Sequence, residues 1–245
     1  TVIGTSAAGH PWGGTARPGT AIRIFTGAPV PQGFDHVELQ ENVDRDGDVI
    51  RVVTRSGGSN IRARGNDFAQ GDTVAPGIIL GAAHIGLLAA MNVDNVTVAA
   101  RPRVAILAGG DELVPPGTDP AEGQIISSND LAIAAMVRDA GGEPHILPIA
   151  RDTEDSLRAS FRAAADADLL VTIGGASVGD HDLIGKIAQE HGIEQAFYKV
   201  ALRPGKPLMA GRMAKGAMLG LPGNPVSAMV CAVLFMQPLI RAMQG

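Results

Sequence analysis

Apolar and polar positions are spaced differently in the two parts of this chain. Before about residue 77, short β-rich runs at 20–25, 36–40 and 49–54 are separated by Gly, Pro and Asp turns. Asp46-Gly47, between two such runs, is a hairpin signal. The opening residues are Gly/Thr-rich and strand-like. Next, Ile85, Leu88 and Ala89 fall at helical spacing and predict a helix over about 81–91. Pro102 marks a break in the chain after this helix. From Arg103 the pattern becomes alternating strand and helix. Residues 104–108 form a short all-apolar run, the mark of a strand covered on both faces. An amphipathic helix over 129–140 ends at Gly141-Gly142. Strands are predicted at 145–149, 169–174, 197–201, 208–212 and 217–221. Helices are predicted from Asp152-Thr153 to about 165, over 182–191, and from Pro225, a favoured first-turn residue. The apolar run at 226–236 is too short to span a bilayer and reads as a buried helix.

This alternation implies an α/β fold with a mainly parallel sheet and helices on both faces. The organisation is a β-rich domain over 1–77, a helical connecting segment over 78–102 and a three-layer α/β domain over 103–245. No internal repeat or low-complexity tract is visible. The first residue is not Met and the last comes directly after an apolar helix, so further domains are expected on both sides.

Composition narrows the classes. Of 245 residues 45% are apolar and 18% charged, enough to bury a core. The net charge of −5 argues against a general nucleic-acid binder, which carries a basic excess. It does not exclude an anionic ligand held by a local basic cluster. The single cysteine, Cys231, excludes an internal disulfide framework and fits a reducing compartment. Residues 1–14 lack the charged-then-apolar layout of a secretory leader. The expected location is therefore the cytoplasm, with no membrane and no nucleic acid as partner.

In open α/β sheets ligands bind beyond the C-terminal strand ends, and there the chain is rich in glycine and charge. Gly174-Gly175-Ala176-Ser177-Val178-Gly179 can bring backbone N–H groups close to a phosphate, with Ser177 adding a hydroxyl; a tight strand-to-helix turn uses glycines equally well. Arg203 and Lys206 flank a Pro-Gly turn, with Lys199 near in sequence, a pairing suited to an oxyanion; the plain alternative is a solvated turn. Asp111, Glu112, Asp152 and Asp182 come after three different strands and offer oxygen ligands for a Mg²⁺ bridging phosphates, although surface acids are the usual explanation of such residues. Asp180-His181-Asp182 lacks the paired spacing of a zinc site. The other histidines form no ligand or triad pattern, Ser177 lacks a nucleophile elbow, and Cys231 lies on an apolar helix. These residues describe a phosphate-bearing ligand, a divalent metal and an added anion site, and name no reaction.

The ordered motifs go further. They are Thr26-Gly27-Ala28-Pro29-Val30-Pro31, Arg64-Gly65-Asn66-Asp67, Gly110-Asp111-Glu112-Leu113, Gly123-Gln124-Ile125 with Asn129, the Gly174-to-Gly179 run, Pro204-Gly205-Lys206-Pro207, and Leu221-Pro222-Gly223-Asn224-Pro225-Val226-Ser227. Together they resemble the molybdopterin molybdenumtransferases, the MoeA family that includes the gephyrin E domain, across nearly the whole chain.

The resemblance implies an elongated homodimer with shared active sites. It implies a reaction in which adenylylated molybdopterin and molybdate yield molybdenum cofactor and AMP, assisted by Mg²⁺, and contact with the other cofactor-synthesis enzymes. By position it assigns Thr26 and Asp67 to an active site completed by the dimer mate. It assigns Asp111, Glu112, Asp152 and Asp182 to the acidic site residues, with Asp111, Glu112 and Asp182 as metal ligands. Gly174, Gly175, Ser177, Gly179, Lys199, Arg203, Lys206, Pro222, Asn224 and Ser227 become ligand-binding residues. The chain departs from the family at Gly109, where Thr is common, and at Arg203, where some relatives have Lys. The family's N-terminal Ser-Ala-Met-Asp-Gly-Tyr-Ala segment and C-terminal β-barrel domain are not in this sequence. The related molybdopterin adenylyltransferase shares only the α/β domain, and a non-catalytic scaffold could shed the charged residues retained here.

Overall fold

The structure is a computed structural model that describes residues 1–174 and 183–245. The chain divides into two compact units, Thr1–Asp94 and Asn95–Gly245.

In the first unit, β1 (Val2–Ser6) pairs in parallel with β2 (Ala21–Ile24). The expected hairpin is present: β3 (Val43–Asp46) pairs antiparallel with β4 (Val49–Val52) across Gly47. The strand expected at 36–40 does not form; a 3₁₀ turn, Gln40–Asn42, stands at its end. Glu38 explains the loss. Its carboxylate accepts hydrogen bonds from Leu39 N (3.1 Å), Asn42 Nδ2 (2.7 Å) and Ser56 N (3.0 Å), and from the Ser56 hydroxyl. A side chain that gathers local donors competes with a β ladder. These bonds, Asn42 first, hold its carboxyl far below the usual carboxylate range. Helix α1 (Ala82–Ala90) forms as expected, yet none of its residues is buried and Ile85 is 60% exposed.

The second unit is built on a six-stranded sheet. Its strands are β5 (Arg103–Ala108), β8 (Glu143–Ile146), β9 (Leu169–Ile173), β10 (Glu194–Phe197), β11 (Met209–Arg212) and β12 (Ala217–Leu221). The short parallel pair β6 (Leu113–Val114) and β7 (Ile125–Ile126) lies between β5 and β8 in sequence. The sheet order is β10-β11-β12-β9-β5-β8, parallel except where β11 runs against both neighbours. Helices α2 (Asn129–Asp139), α5 (Pro225–Cys231) and α6 (Gln237–Ala242) belong to one layer. Helices α3 (Glu154–Ala163) and α4 (Leu183–Glu190) form the other. Successive side chains of a strand point to opposite faces. Val104 and Ile106 accordingly enter the core under α2, α5 and α6, whereas Ala105 and Leu107 enter the core under α3 and α4.

Three boundaries differ from those expected of the sequence. Strand β8 starts two residues before His145 and contains Pro144; it is an edge strand bonded only to β5, where a missing N–H is tolerated. Strand β10 ends at Phe197 instead of beginning there, and Val200 and Leu202 pack against the core from the adjoining loop. The final helix is longer than the 226–236 run. It continues as Pro225–Ala242, 18 residues of mean hydropathy 1.5, a length at which bilayer spans begin. Here its stripe of Ala228, Cys231, Ala232, Met236 and Ile240 is buried in the sheet's core. Pro238 has no N–H to give and would crowd the carbonyl four residues back. A π turn at Ala232–Met236, with Gln237 N bonded to Ala232 O, absorbs the mismatch.

An ion-pair cluster ties α3 to α4. Arg158 Nε lies 2.8 Å from Glu190 and Nη2 lies 2.6 Å from Glu154, which also pairs with Lys186. Lys186 and then Arg158 hold the Glu154 carboxyl below its ordinary value of 4.5, and Arg158 does the same to Glu190. A carboxylate with a depressed folded-state pKa stabilises the fold above its unfolded pKa, and that contribution disappears as pH falls through the depressed value. Arg158→Met is therefore expected to lower the thermal midpoint at pH 7, with the difference from wild type shrinking below pH 4.5. A pH-independent difference between the two melting curves would exclude the ion pairs as its source.

Candidate functional site

The sheet order creates a switch point. From β5 the chain passes through α2 to β8 on one side, then through α3 back to β9 on the other. Ligand crevices open at the C-terminal strand ends at such points. Because β10 runs parallel to β9, and β11 begins at that same edge, the 198–208 loop joins the loops after β5, β8, β9 and β12 there.

Four of these loops interlock. Gly109 N donates to Ile173 O at 3.3 Å, Gly174 N to Leu221 O at 3.1 Å, and Gly110 N to Ala150 O at 3.1 Å. A Cβ placed on Gly174 would lie 3.2 Å from the Gly109 carbonyl oxygen and 3.8 Å from the Gly223 Cα, and Gly174 has φ +80°. Only glycine meets both demands easily. Gly174→Val is expected to lose about 1–3 kcal/mol through backbone strain alone and to push the β5 and β12 loops apart. Equilibrium unfolding by denaturant checks this; an unchanged unfolding free energy would show that the glycine junction is dispensable.

The acidic residues lie on this frame. Asp111, Glu112 and Asp152 are exposed. Asp152 N donates to Asp111 Oδ1 at 3.2 Å, so the backbone of one predicted acid meets the carboxylate of another. The Glu112 carboxylate lies over Gly110, where an added Cβ would approach Glu112 Oε2 to 2.5 Å. Asn224 caps α5, accepting from Ser227 N at 3.2 Å and the Ser227 hydroxyl at 3.4 Å, and Pro222 is buried beside it. Gly175, Ser177, Gly179 and Asp182 lie outside the described residues.

The basic residues share the next loop. Arg203 and Lys206 are exposed, and among the described residues neither makes an ion pair; Lys199 Nζ stands 5.6 Å from the Tyr198 ring centroid. The loop's shape is set from below. Buried Gly205, at φ +116°, leaves no room for a Cβ, which would come within 2.5 Å of Cys231 Sγ. Cys231 is thus a core residue, and burial raises its thiol pKa.

Thr26 and Asp67 belong to the first unit. Thr26 stands in a turn closed by Ala28 N to Phe25 O at 3.0 Å, with Gly27 at φ +81°. Asp67 pairs with Arg62 at 2.7 Å and accepts from Asn66 Nδ2 at 3.2 Å, lining an open cleft of about 840 Å³. No hydrogen bond joins Thr26 to Asp67 among the described residues.

Two site-building residues have no role that the sequence motifs assign. Asn129, at the start of α2, donates from Nδ2 to Gly223 O at 2.8 Å. Arg151 donates from Nη1 to Asp111 O at 3.0 Å and to Leu113 O at 3.3 Å. Asn129 stands in one of the ordered motifs without an assigned role, whereas the only signal of Arg151 is a polar residue adjoining a strand-end loop, which many surface residues share.

Comparison with known proteins accounts for both units. Residues 105–242 match the family described as "Probable molybdopterin binding domain", and residues 1–92 match the "MoeA N-terminal region (domain I and II)". The chain belongs to the MoeA family. A protein of Nostoc sp. named molybdopterin molybdenumtransferase is 37% identical over all of this chain and 57% of its own length. The protein of that name from Haemophilus influenzae is 36% identical over all of this chain and 61% of its own. The crystal structure of the molybdopterin biosynthesis MoeA protein from Pyrococcus horikoshii superposes with a TM-score of 0.83 at 32% identity, covering all of this chain and 62% of that one. The chain thus spans about three fifths of the length of these MoeA relatives. The match over 1–92 sets it apart from proteins that resemble it in the α/β domain alone.

Proposed function

We propose that the full protein transfers molybdenum from molybdate into adenylylated molybdopterin and releases AMP, as a step of molybdenum cofactor synthesis in the cytoplasm. The carrying observation is the gathering at one end of the sheet of glycine loops, the exposed acids Asp111, Glu112 and Asp152, and the exposed Arg203 and Lys206. Glycines at the β5, β9 and β12 ends let these loops pack closely together, which gathers the acidic and basic loops at one end of the sheet. Arg203, Lys206 and Lys199 supply cationic groups for molybdate and phosphate oxygens. Asn224 and Ser227 hold the loop after β12 in shape.

The acidic side fits Mg²⁺ by its donor chemistry. Asp111 and Glu112 make no ion pair among the described residues, and Asp111 keeps one carboxylate oxygen free of the Asp152 bond. No group of three acids, histidines or cysteines is found among the described residues. Mg²⁺ is commonly held by one or two carboxylates together with substrate phosphates and waters, so two suffice. Asp111 and Glu112 would hold it, with Asp182 as the further candidate from outside the described residues. When bound, it would neutralise charge on the phosphoanhydride oxygens as AMP departs. Thr26 and Asp67 would complete the site from the β-rich unit of a dimer mate. Arg62 pairs with the Asp67 carboxylate at 2.7 Å.

The test is incubation of the full-length protein with adenylylated molybdopterin, molybdate and Mg²⁺. AMP release dependent on molybdate, together with formation of molybdenum cofactor, is expected. Unchanged adenylylated molybdopterin would refute the assignment.

A further inference from the structure

We propose that Arg151 is a positioning residue for the metal-binding half of the site. This inference rests on the reading that Asp111 and Glu112 hold a divalent cation. The loop bearing these acids leaves β5 at Gly109 and returns as β6 at Leu113. It is short, with Asp111 and Glu112 exposed, and its backbone is tied at the base by Gly109 N to Ile173 O (3.3 Å) and Gly110 N to Ala150 O (3.1 Å) and closed by Leu113 N to Gly110 O (3.3 Å). Its side-chain support comes from the end of β8. Arg151 Nη1 donates to both the Asp111 and Leu113 carbonyl oxygens, at 3.0 and 3.3 Å, bracketing Glu112 from either side. Arg151 is itself placed by its backbone: its N donates to Ser156 Oγ at 2.9 Å, in the first turn of α3. The next residue completes the clamp, Asp152 N donating to Asp111 Oδ1 at 3.2 Å. On the far side, Ile125 N donates to the Glu112 carbonyl at 2.8 Å. The acid loop is therefore held between β7 and the β8–α3 corner, and Arg151 is the only side chain among the described residues that donates to its backbone carbonyls.

The charge of Arg151 makes this arrangement informative. A cation beside two carboxylates would be expected to pair with them, and in doing so would compete with a metal ion. Here the guanidinium is turned onto carbonyl oxygens, and it forms no ion pair with Asp111, Glu112 or Asp152. It bonds the loop without pairing with its carboxylates, so Glu112 and the second Asp111 oxygen are left to a cation. Groups that orient metal ligands through hydrogen bonds commonly matter about tenfold or more to metal affinity.

The experiment uses Mn²⁺ as the probe, its binding to the full-length protein read by electron paramagnetic resonance. Arg151→Gln and Arg151→Met both keep an unbranched stem and remove the fork. Each is expected to weaken Mn²⁺ binding about tenfold, while molybdate affinity and cooperative unfolding stay as in wild type. Glu112→Gln is the reference. If Glu112→Gln weakens Mn²⁺ binding and both Arg151 variants bind it normally, the positioning role is overturned and the metal site stands. If none of the three changes Mn²⁺ binding, the metal site itself is wrong and this inference falls with it. Loss of molybdate affinity alongside Mn²⁺ in the Arg151 variants would mark a general collapse of the site and likewise overturn a role confined to the acid loop.

Discussion

Lys206→Ala is expected to weaken molybdate binding about ten- to hundredfold, since a hydrogen bond to a charged group contributes about 1.5–3 kcal/mol. The lysine is exposed and makes no ion pair among the described residues, so its loss leaves no buried charge behind and the fold should tolerate it. Its backbone is a separate matter: the Lys206 carbonyl accepts from Val200 N at 3.2 Å and Leu208 N at 3.0 Å, bonds that alanine preserves. The substitution therefore removes a cation from a loop that keeps its shape. Salt should weaken wild-type binding more than that of the variant, because screening acts on the charge removed. Calorimetric titration with molybdate at two ionic strengths measures both effects. An affinity equal to wild type would place the oxyanion elsewhere and leave Lys206 a solvated surface residue.

Mixing two inactive variants is expected to restore activity. Thr26 and Asp67 lie in one compact unit, and Asp111 and Lys206 in the other. If a two-fold dimer brings the β-rich unit of one chain to the α/β unit of its mate, every site draws on both chains. A Thr26→Ala/Asp67→Ala chain paired with a Lys206→Ala chain then carries both lesions in one site and none in the other. Random exchange at equal concentrations makes half of the dimers mixed, each with one intact site, so about one quarter of wild-type activity should return. Sites confined to single chains would yield nothing, since each chain carries its own lesion. Mixed dimers demonstrated by differential tagging, with activity no higher than the separate variants, would reject the shared site. The full-length protein is required, because the chain spans about three fifths of its relatives' length.

Much of the α/β unit is legible in burial pattern and turn chemistry. A five-residue apolar run such as residues 104–108 can be covered only on both faces, and Thr153 and Asn224 are side chains suited to cap the helices they precede. Parallel strands alternating with helices place the loops that follow the strands at one end of the sheet, so the charged and glycine-rich segments there mark a site before any contact is known. The ordered motifs carry the family, because several independent local patterns in one order are far more specific than any one of them.

Tertiary structure alone decided what depends on neighbours distant in sequence. Periodicity shows that a strand is buried but not beside which strand, so the order that sets β5 between β8 and β9, and Gly109 against Gly174, could not be read from it. Glu38 cancelled an expected strand by bonding to Ser56, eighteen residues away. Pro144 was tolerated because β8 proved to be an edge strand. Arg151 and Asn129 bond to carbonyl oxygens 40 and 94 residues away. Sequence patterns report how each residue relates to water and to its own helix or strand. A hydrogen bond between two loops is set by sheet register, which only the assembled strands determine.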